Sequence, residues 1–197
     1  MTNDKEIAIY YFSATGNSLK LSFDIASRFR AVKLFKIGTK GKVEASNAKI
    51  IGFIFPVYMG GLPDVVRRFL QNYPFKKDIY YFSIGTYYKY KGCAMSVVNK
   101  IMSENGASLS YGSYLPSVGN CLKEYEVSVK NRIKILKRAD VCTEIIINDI
   151  ISKKERRFPQ YSRLSDILHK GLFKAFFSNF SALRWSFGAN SNASRTR

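Results

Sequence analysis

Short unbroken apolar runs alternate along the chain with longer stretches in which apolar residues recur every three or four positions. Ile7 to Phe12 (IAIYYF) has no helical spacing and reads as a strand buried on both faces. It meets the polar turn Ser13-Ala14-Thr15-Gly16-Asn17-Ser18. In the next segment, Leu19 to Arg30, Leu19, Phe23 and Ala26 share one helical face, and Ile25 and Phe29 widen it. Ala31 to Ile37 reads as a second short strand. Ile50 to Phe55 (IIGFIF) is a clearer one, stopped by Pro56. After a loop through Gly60, Gly61 and Pro63, Asp64 to Leu70 opens a helix whose positive end suits the Asp64 charge. Ile79 to Ile84 (IYYFSI) predicts another strand, Cys93 to Met102 a helix, and Leu109 to Leu115 the last strand.

Strands and helices that alternate over short connections imply a parallel sheet with helices on both faces, a three-layer α/β sandwich of five strands. Beyond Asn120 the pattern changes. Glu124 to Ile151 reads as one long helix, with Val127, Ile133, Ile135, Leu136, Val141, Ile145 and Ile146 among its apolar positions. Lys153 to Arg157 (KKERR) is a solvated charge run before Pro159. Leu164 to Phe187 is basic and aromatic, with Leu164, Leu168 and Leu172 at helical spacing. Such a stripe is expected to pack on its parent domain rather than on a membrane. The expected division is a domain over 1–152 and a helical C-terminal extension over 153–197.

Composition narrows the class. With 46% hydrophobic and 15% aromatic residues in a 197-residue chain, a sizeable core is expected and general disorder is not. No run approaches the roughly 20 apolar residues of a membrane span. No charged-then-apolar leader precedes the first strand, so a cytoplasmic location is expected. Cys93, Cys121 and Cys142 form no Cys-x-x-Cys pair, which argues against a disulfide framework, a zinc site or an iron–sulfur site. His169 is the only histidine. It rules out a His-rich metal site, leaves a Ser/His/Asp triad without support, and is expected at the surface. Lys and Arg outnumber Asp and Glu by 32 to 14, a net charge of +18. That balance favours acidic partners: a phosphorylated cofactor, an acidic redox protein, nucleic acid or an anionic membrane. Charge alone does not choose among them.

The turn between the first strand and the first helix is the most informative segment. Its hydroxyls, backbone N–H groups and positive helix end can hold a phosphate without a cationic side chain, and Gly16 lets the backbone approach the anion. The segment lacks the Lys-Ser/Thr ending of a nucleoside-triphosphate loop, and the chain has no Gly-x-Gly-x-x-Gly. A phosphate monoester fits better than ATP or a dinucleotide.

Phe12-Ser13-Ala14-Thr15-Gly16-Asn17-Ser18 resembles the phosphate-binding loop of the flavodoxins. The resemblance covers roughly Ile7 to Asn120 and implies a flavodoxin-like fold with FMN as cofactor. Ser13, Thr15, Asn17 and Ser18 would bond the FMN phosphate, with the Gly16 backbone completing the cradle. Pro56-Val57-Tyr58-Met59-Gly60-Gly61-Leu62-Pro63 resembles the loop along one side of the isoalloxazine ring. There Tyr58 would stack on the flavin, and Pro56, Met59 and Gly60 would supply apolar and backbone contacts. Gly85-Thr86-Tyr87-Tyr88 would form the other wall, although the family carries more glycine at the positions of Tyr88 and Lys89. Phe55-Pro56-Val57-Tyr58, Gly61-Leu62-Pro63 and Leu115-Pro116-Ser117 before Val118-Gly119-Asn120 are most similar to the flavodoxin half of flavodoxin–ferredoxin fusion proteins. The ferredoxin cysteines of those fusions are absent from this chain, so iron–sulfur transfer is not implied.

The resemblance implies an FMN-binding electron-transfer protein with no catalytic side chain and no metal. A redox protein, acidic or ferredoxin-like, would be its partner, and the positive surroundings would raise its reduction potential. Two readings compete. One is an FMN-dependent oxidoreductase of the NAD(P)H:quinone type. The other is a degenerate flavodoxin-like module that binds a protein and no flavin. A nucleic-acid partner is not expected, because the basic, aromatic tail is its sole support and is weakly specific.

Overall fold

Residues 7–10 are buried on both sides of the first strand, and their side chains alternate between two cores: Ile7 and Ile9 below the sheet, Ala8 and Tyr10 above it. The computed structural model describes residues 3–38, 46–118 and 128–156. All lie in the first of two compact units, Met1–Tyr161; the second, Ser162–Arg197, lies outside the described residues. The elements in chain order are β1 (Asn3–Tyr11), α1 (Asn17–Ala26), β2 (Phe29–Lys36), β3 (Ile50–Pro56), α2 (Asp64–Gln71), β4 (Tyr80–Tyr87), α3 (Ala94–Glu104), β5 (Tyr111–Pro116) and α4 (Val129–Ile151). The five strands form one parallel sheet in the order β2-β1-β3-β4-β5, the doubly wound, flavodoxin-like arrangement.

α1 and α4 cover one face, where Leu21, Ile25, Ile146, Ile147 and Ile150 pack on Ile7, Ile9, Ile54 and Phe82. α2 and α3 cover the other. That second face is aromatic. Tyr10 stacks on Phe35 with centroids 4.8 Å apart, and Tyr73 meets Phe53 edge-on at 5.3 Å. The Tyr10 hydroxyl accepts from the Ser46 N–H at 3.0 Å, so the polar end of this buried ring has a partner. Gly52 on β3 pairs with Phe82 on β4, and the Phe82 ring occupies the space that a side chain at Gly52 would need.

Several boundaries differ from the sequence reading. α1 begins at Asn17 and stops at Ala26. The Ser27 N–H bonds to the Phe23 carbonyl at 2.9 Å and closes the last turn, so Phe29, expected on the helix, opens β2 instead. The buried face of α1 is Ser18, Leu21, Ser22 and Ile25, whereas Phe23 is 55% exposed. The two serines are small enough to lie against the sheet, and Ser22 Oγ donates to the Ser18 carbonyl at 2.8 Å. β4 runs past Ile84 through Gly85, Thr86 and Tyr87 because Thr86 pairs with Pro56 and Tyr87 with Pro116.

α4 is buried only in its second half, at Thr143, Ile146, Ile147, Asp149 and Ile150. In its first half Val129, Ile133 and Leu136 are exposed, as are Val141 and Ile145 farther along. Past the helix, Lys154 and Arg156 fold back on Asp149, with Nζ–Oδ1 at 3.0 Å and Nη2–Oδ2 at 3.1 Å. Tyr111 donates to the same carboxylate at 3.0 Å, and the Arg156 N–H bonds to the Ser110 carbonyl at 2.9 Å. Residues 154–156 are thus stitched to the amino ends of β4 and β5, where the Tyr80 hydroxyl also donates to the Lys154 carbonyl. The expectations for Gly119, Asn120, Cys121, residues 124–127, Arg157, Pro159, His169 and the stripe from Leu164 to Phe187 lie outside the described residues.

Candidate functional site

The chain leaves β1 toward β2 on one side and returns to β3 on the other, so the sheet's switch point lies between β1 and β3. Ligands of open α/β sheets bind at the carboxyl ends of the strands beside that point. A cleft of about 130 Å³ opens there, between the loops that follow β1, β3, β4 and β5. Ser13, Thr15, Asn17, Ser18, Pro56, Tyr58, Thr86, Tyr87 and Tyr88 line it, together with Ala14, Val57, Ser117 and Val118. Of the residues proposed from sequence, Gly16, Met59 and Gly60 are not on its wall. A larger hollow of about 290 Å³, lined by Ser108, Leu109, Ser110, Glu155 and Arg156, sits at the opposite, amino end of β5. Its position is wrong for a ligand of this fold, and its Arg156 is engaged with Asp149.

The β1–α1 turn is shaped by its own groups. Gly16 has φ +95°, a left-handed conformation that other residues adopt only with strain, and its N–H bonds to Ser13 Oγ at 3.1 Å. The N-cap of α1 is Gly16, which has no side chain to cap the helix, so among the described residues the N–H groups of its first turn lack a capping side chain at the end that adjoins the cleft. Asn17 Nδ2 donates to the Val118 carbonyl at 3.1 Å and ties this turn to the loop after β5. Beneath, Ser18 Oγ and Thr86 Oγ1 share a buried hydrogen bond of 3.0 Å. Ser18 and Thr86 therefore brace the cleft floor by joining α1 to β4, while Thr15 stays exposed on its wall.

The walls after β3 and β4 are aromatic. Tyr58 is 37% and Met59 41% exposed at the tip of the β3 loop. Tyr87 is buried at the end of β4 and meets Tyr114 edge-on at 6.2 Å. Burial raises the Tyr114 pKa, which the Met95 N–H partly offsets, so Tyr114 remains a neutral phenol bonded to Met95 N and the Gly92 carbonyl. Among the described residues no Asp, Glu, Lys or Arg lines the cleft. Cations stand at its rim: Lys91 Nζ lies 5.4 Å from the Tyr87 ring centroid and Lys89 Nζ 5.7 Å from that of Tyr88.

No family model and no curated protein matches the chain. Among solved structures it is similar to a flavodoxin from Streptococcus pneumoniae TIGR4, at 16% identity over 69% of this chain and 98% of that one, with a TM-score of 0.47. It is similar to the two-electron reduced flavodoxin of Megasphaera elsdenii at 20% identity, over 68% and 96%, with a TM-score of 0.47. It is similar to an FMN-dependent NADH-azoreductase from Bacillus anthracis, solved with FMN, at 8% identity over 76% and 100%, with a TM-score of 0.48. Likeness this distant adds no residue-level correspondence. The fold stands on the strand order, and the chemistry of the cleft stands on its own donors.

Ser117 and Val118 line the cleft but were noted in the sequence only as part of a resemblance. Nothing local marks them. They reach the site because β5 is the outermost strand on that side and ends level with β4: the Ser117 N–H bonds to the Tyr87 carbonyl at 2.7 Å. Among the described residues no group of three His, Cys, Asp or Glu could hold a metal, and no helix is long and apolar enough to cross a membrane.

Proposed function

We propose that the cleft holds FMN by its phosphate and that the protein carries electrons. The observation that carries this reading is the amino end of α1, opening at the switch point into a cleft where hydroxyls and an amide side chain stand among apolar and aromatic groups and where, among the described residues, no side chain is charged. Neutral donors and a helix end suit a phosphate dianion, which a carboxylate in the wall would repel. Thr15, Asn17 and the amides around Gly16 would hold the phosphate, Ser18 and Thr86 would support the floor, and Tyr58, Tyr87 and Tyr88 would face the flat ring. When bound, isoalloxazine accepts one or two electrons, and the protein contributes orientation and electrostatics. Among the described residues no acid–base pair lines the cleft, which suits a carrier better than an enzyme that must move protons.

The rim suggests the partner's charge. Lys89 and Lys91, with Tyr90 75% exposed between them, border the ring side at the Tyr87–Tyr88 wall. An acidic redox protein in the cytoplasm fits this surface. The binding unit would be residues 1–152, with 153–197 as an appended segment.

Titration with FMN, followed by quenching of flavin fluorescence, tests the reading. Thr15 makes no side-chain hydrogen bond that the fold needs, so Thr15→Ala should fold normally and bind FMN about tenfold or more weakly, the worth of one hydrogen bond to a charged group. Riboflavin, which lacks the phosphate, should bind both proteins equally. An unchanged FMN affinity in Thr15→Ala would refute the phosphate assignment. The cleft volume favours a second reading. About 130 Å³ is small beside the roughly 300–1,000 Å³ of small-molecule pockets. It would admit a phosphorylated arm and leave the ring on the open side, or serve a flavin-free interaction module. Purified protein that neither quenches FMN nor shifts its visible band would refute the flavin reading in favour of the module.

A further inference from the structure

The loop after β3 ends in a tight reversal. Tyr58 and Gly61 exchange both backbone hydrogen bonds, at 3.2 and 2.9 Å, and the two residues between them are left-handed, Met59 at φ +49° and Gly60 at φ +76°. Such a two-residue turn needs positive φ at both central positions, and methionine takes one of them here. Its hold lies outside the turn. The Gly60 carbonyl accepts the Cys93 N–H at 2.9 Å, at the amino end of α3, and Gly60 is buried. Gly92, itself at φ +56°, packs backbone to backbone on Gly60: a Cβ at Gly92 would land on the Gly60 Cα and carbonyl group. Tyr114 closes the arrangement from behind. Its hydroxyl donates to the Gly92 carbonyl at 3.3 Å and accepts the Met95 N–H at 3.2 Å.

We propose that the contact between Gly60 and Gly92 clamps the loop after β3 to the loop after β4, making Gly92 a positioning residue that sets the slot between Tyr58 and Tyr87–Tyr88. The proposal rests on the reading of the cleft as a flavin site. A flat ring held between two loops needs walls at a fixed spacing, and loops that moved independently would have to be ordered at each binding event, at a cost in affinity. Rigid backbone contact removes that cost before the ligand arrives. It also explains a strained Met59: the turn keeps its shape because Gly60 is held from below. Any side chain at Gly92 would push the turn and α3 apart and change the slot, while the phosphate end, on β1 and α1, would stay as it is.

Two flavins and two variants test this. Gly106, at the end of α3, is also left-handed, at φ +74°, but has open space where a Cβ would stand. Gly106→Ala therefore reproduces the backbone strain of Gly92→Ala without the collision. Gly92→Ala should bind both FMN and riboflavin about tenfold more weakly than wild type, and Gly106→Ala should bind both normally. Equal loss for the two flavins marks a defect in the slot, whereas Thr15→Ala weakens FMN alone. Amide exchange in the wild-type protein without flavin is a further readout: the Cys93 N–H should already be protected. Flavin affinities in Gly92→Ala equal to those of Gly106→Ala overturn the clamp. Free exchange at Cys93 also overturns it, even if Gly92→Ala fails to fold. Wild-type protein that binds neither flavin overturns the flavin reading itself, and the slot with it.

Discussion

Replacing Asp149 by asparagine removes a charge from the lower end of the sheet while preserving shape. The Asp149 side chain is 10% exposed and receives Tyr111, Lys154 and Arg156. Burial alone would raise its pKa. Hydrogen bonds from Lys154 and Tyr111 and the charges of Lys154 and Arg156 outweigh that and hold the carboxyl below its ordinary value. Lys154 and Arg156 are 54% and 42% exposed, so each ion pair contributes at the low, solvent-screened end. The buried Tyr111 bond to a charged acceptor is the larger loss, and the total for Asp149→Asn comes to about 2–3 kcal/mol. For a domain of this size that lowers Tm by roughly 5–10 °C. Because the folded pKa is depressed, the stabilisation is present at neutral pH and above the ordinary aspartate value of about 4, and is lost as the pH falls through the lowered pKa. Urea titrations of both proteins between pH 7 and pH 2 should give curves separated at neutrality that converge in acid. Equal stabilities at pH 7, or a gap that persists unchanged to pH 2, would refute the charge argument.

Gly52→Ala should destabilise by about 2–3 kcal/mol or prevent folding, read as a denaturant midpoint, because the new methyl group meets the buried Phe82 ring. Phe23→Ser should change stability by no more than about 0.5 kcal/mol, since that ring is 55% exposed and lies off the buried face of α1. Ser18→Ala should cost about 1 kcal/mol through the hydroxyl pair with Thr86, and Ser18→Ala combined with Thr86→Val should cost less than the sum of the two single changes.

What the sequence made legible were features written in adjacent residues. IAIYYF and IIGFIF read as strands because strands buried on both faces need unbroken apolar runs, and Ser13 to Ser18 reads as an anion-binding turn because its donors are consecutive. Features that depend on a distant neighbour were hidden. Leu19 and Phe23 suggested one face of α1, yet Ser18 and Ser22 lie on the buried face with Leu21 and Ile25, Ser18 bonded to Thr86 of the sheet and Ser22 to the Ser18 carbonyl of its own helix. The bond from Asn17 to Val118 spans 101 positions and has no local signal. Gly92 carries no local signal of its own role. Its meaning appears only with its backbone contact on Gly60. Likewise, the apolar spacing of α4 announced a helix but not how much of it meets the sheet.

That last point sets how α4 behaves as a mechanical object. It is a beam fixed at one end: Thr143, Ile146, Ile147, Asp149 and Ile150 are embedded, while the turns from Val129 to Arg138 have no buried residue to hold them. Ten residues of helix are marginal in water by themselves, so cohesion of the outer turns must be borrowed from the anchored ones and from the Ser128 cap. Proteases and exchange reagents should enter from the amino end and progress inward, one turn at a time. The same protein would then show a gradient of opening energies along a single continuous helix.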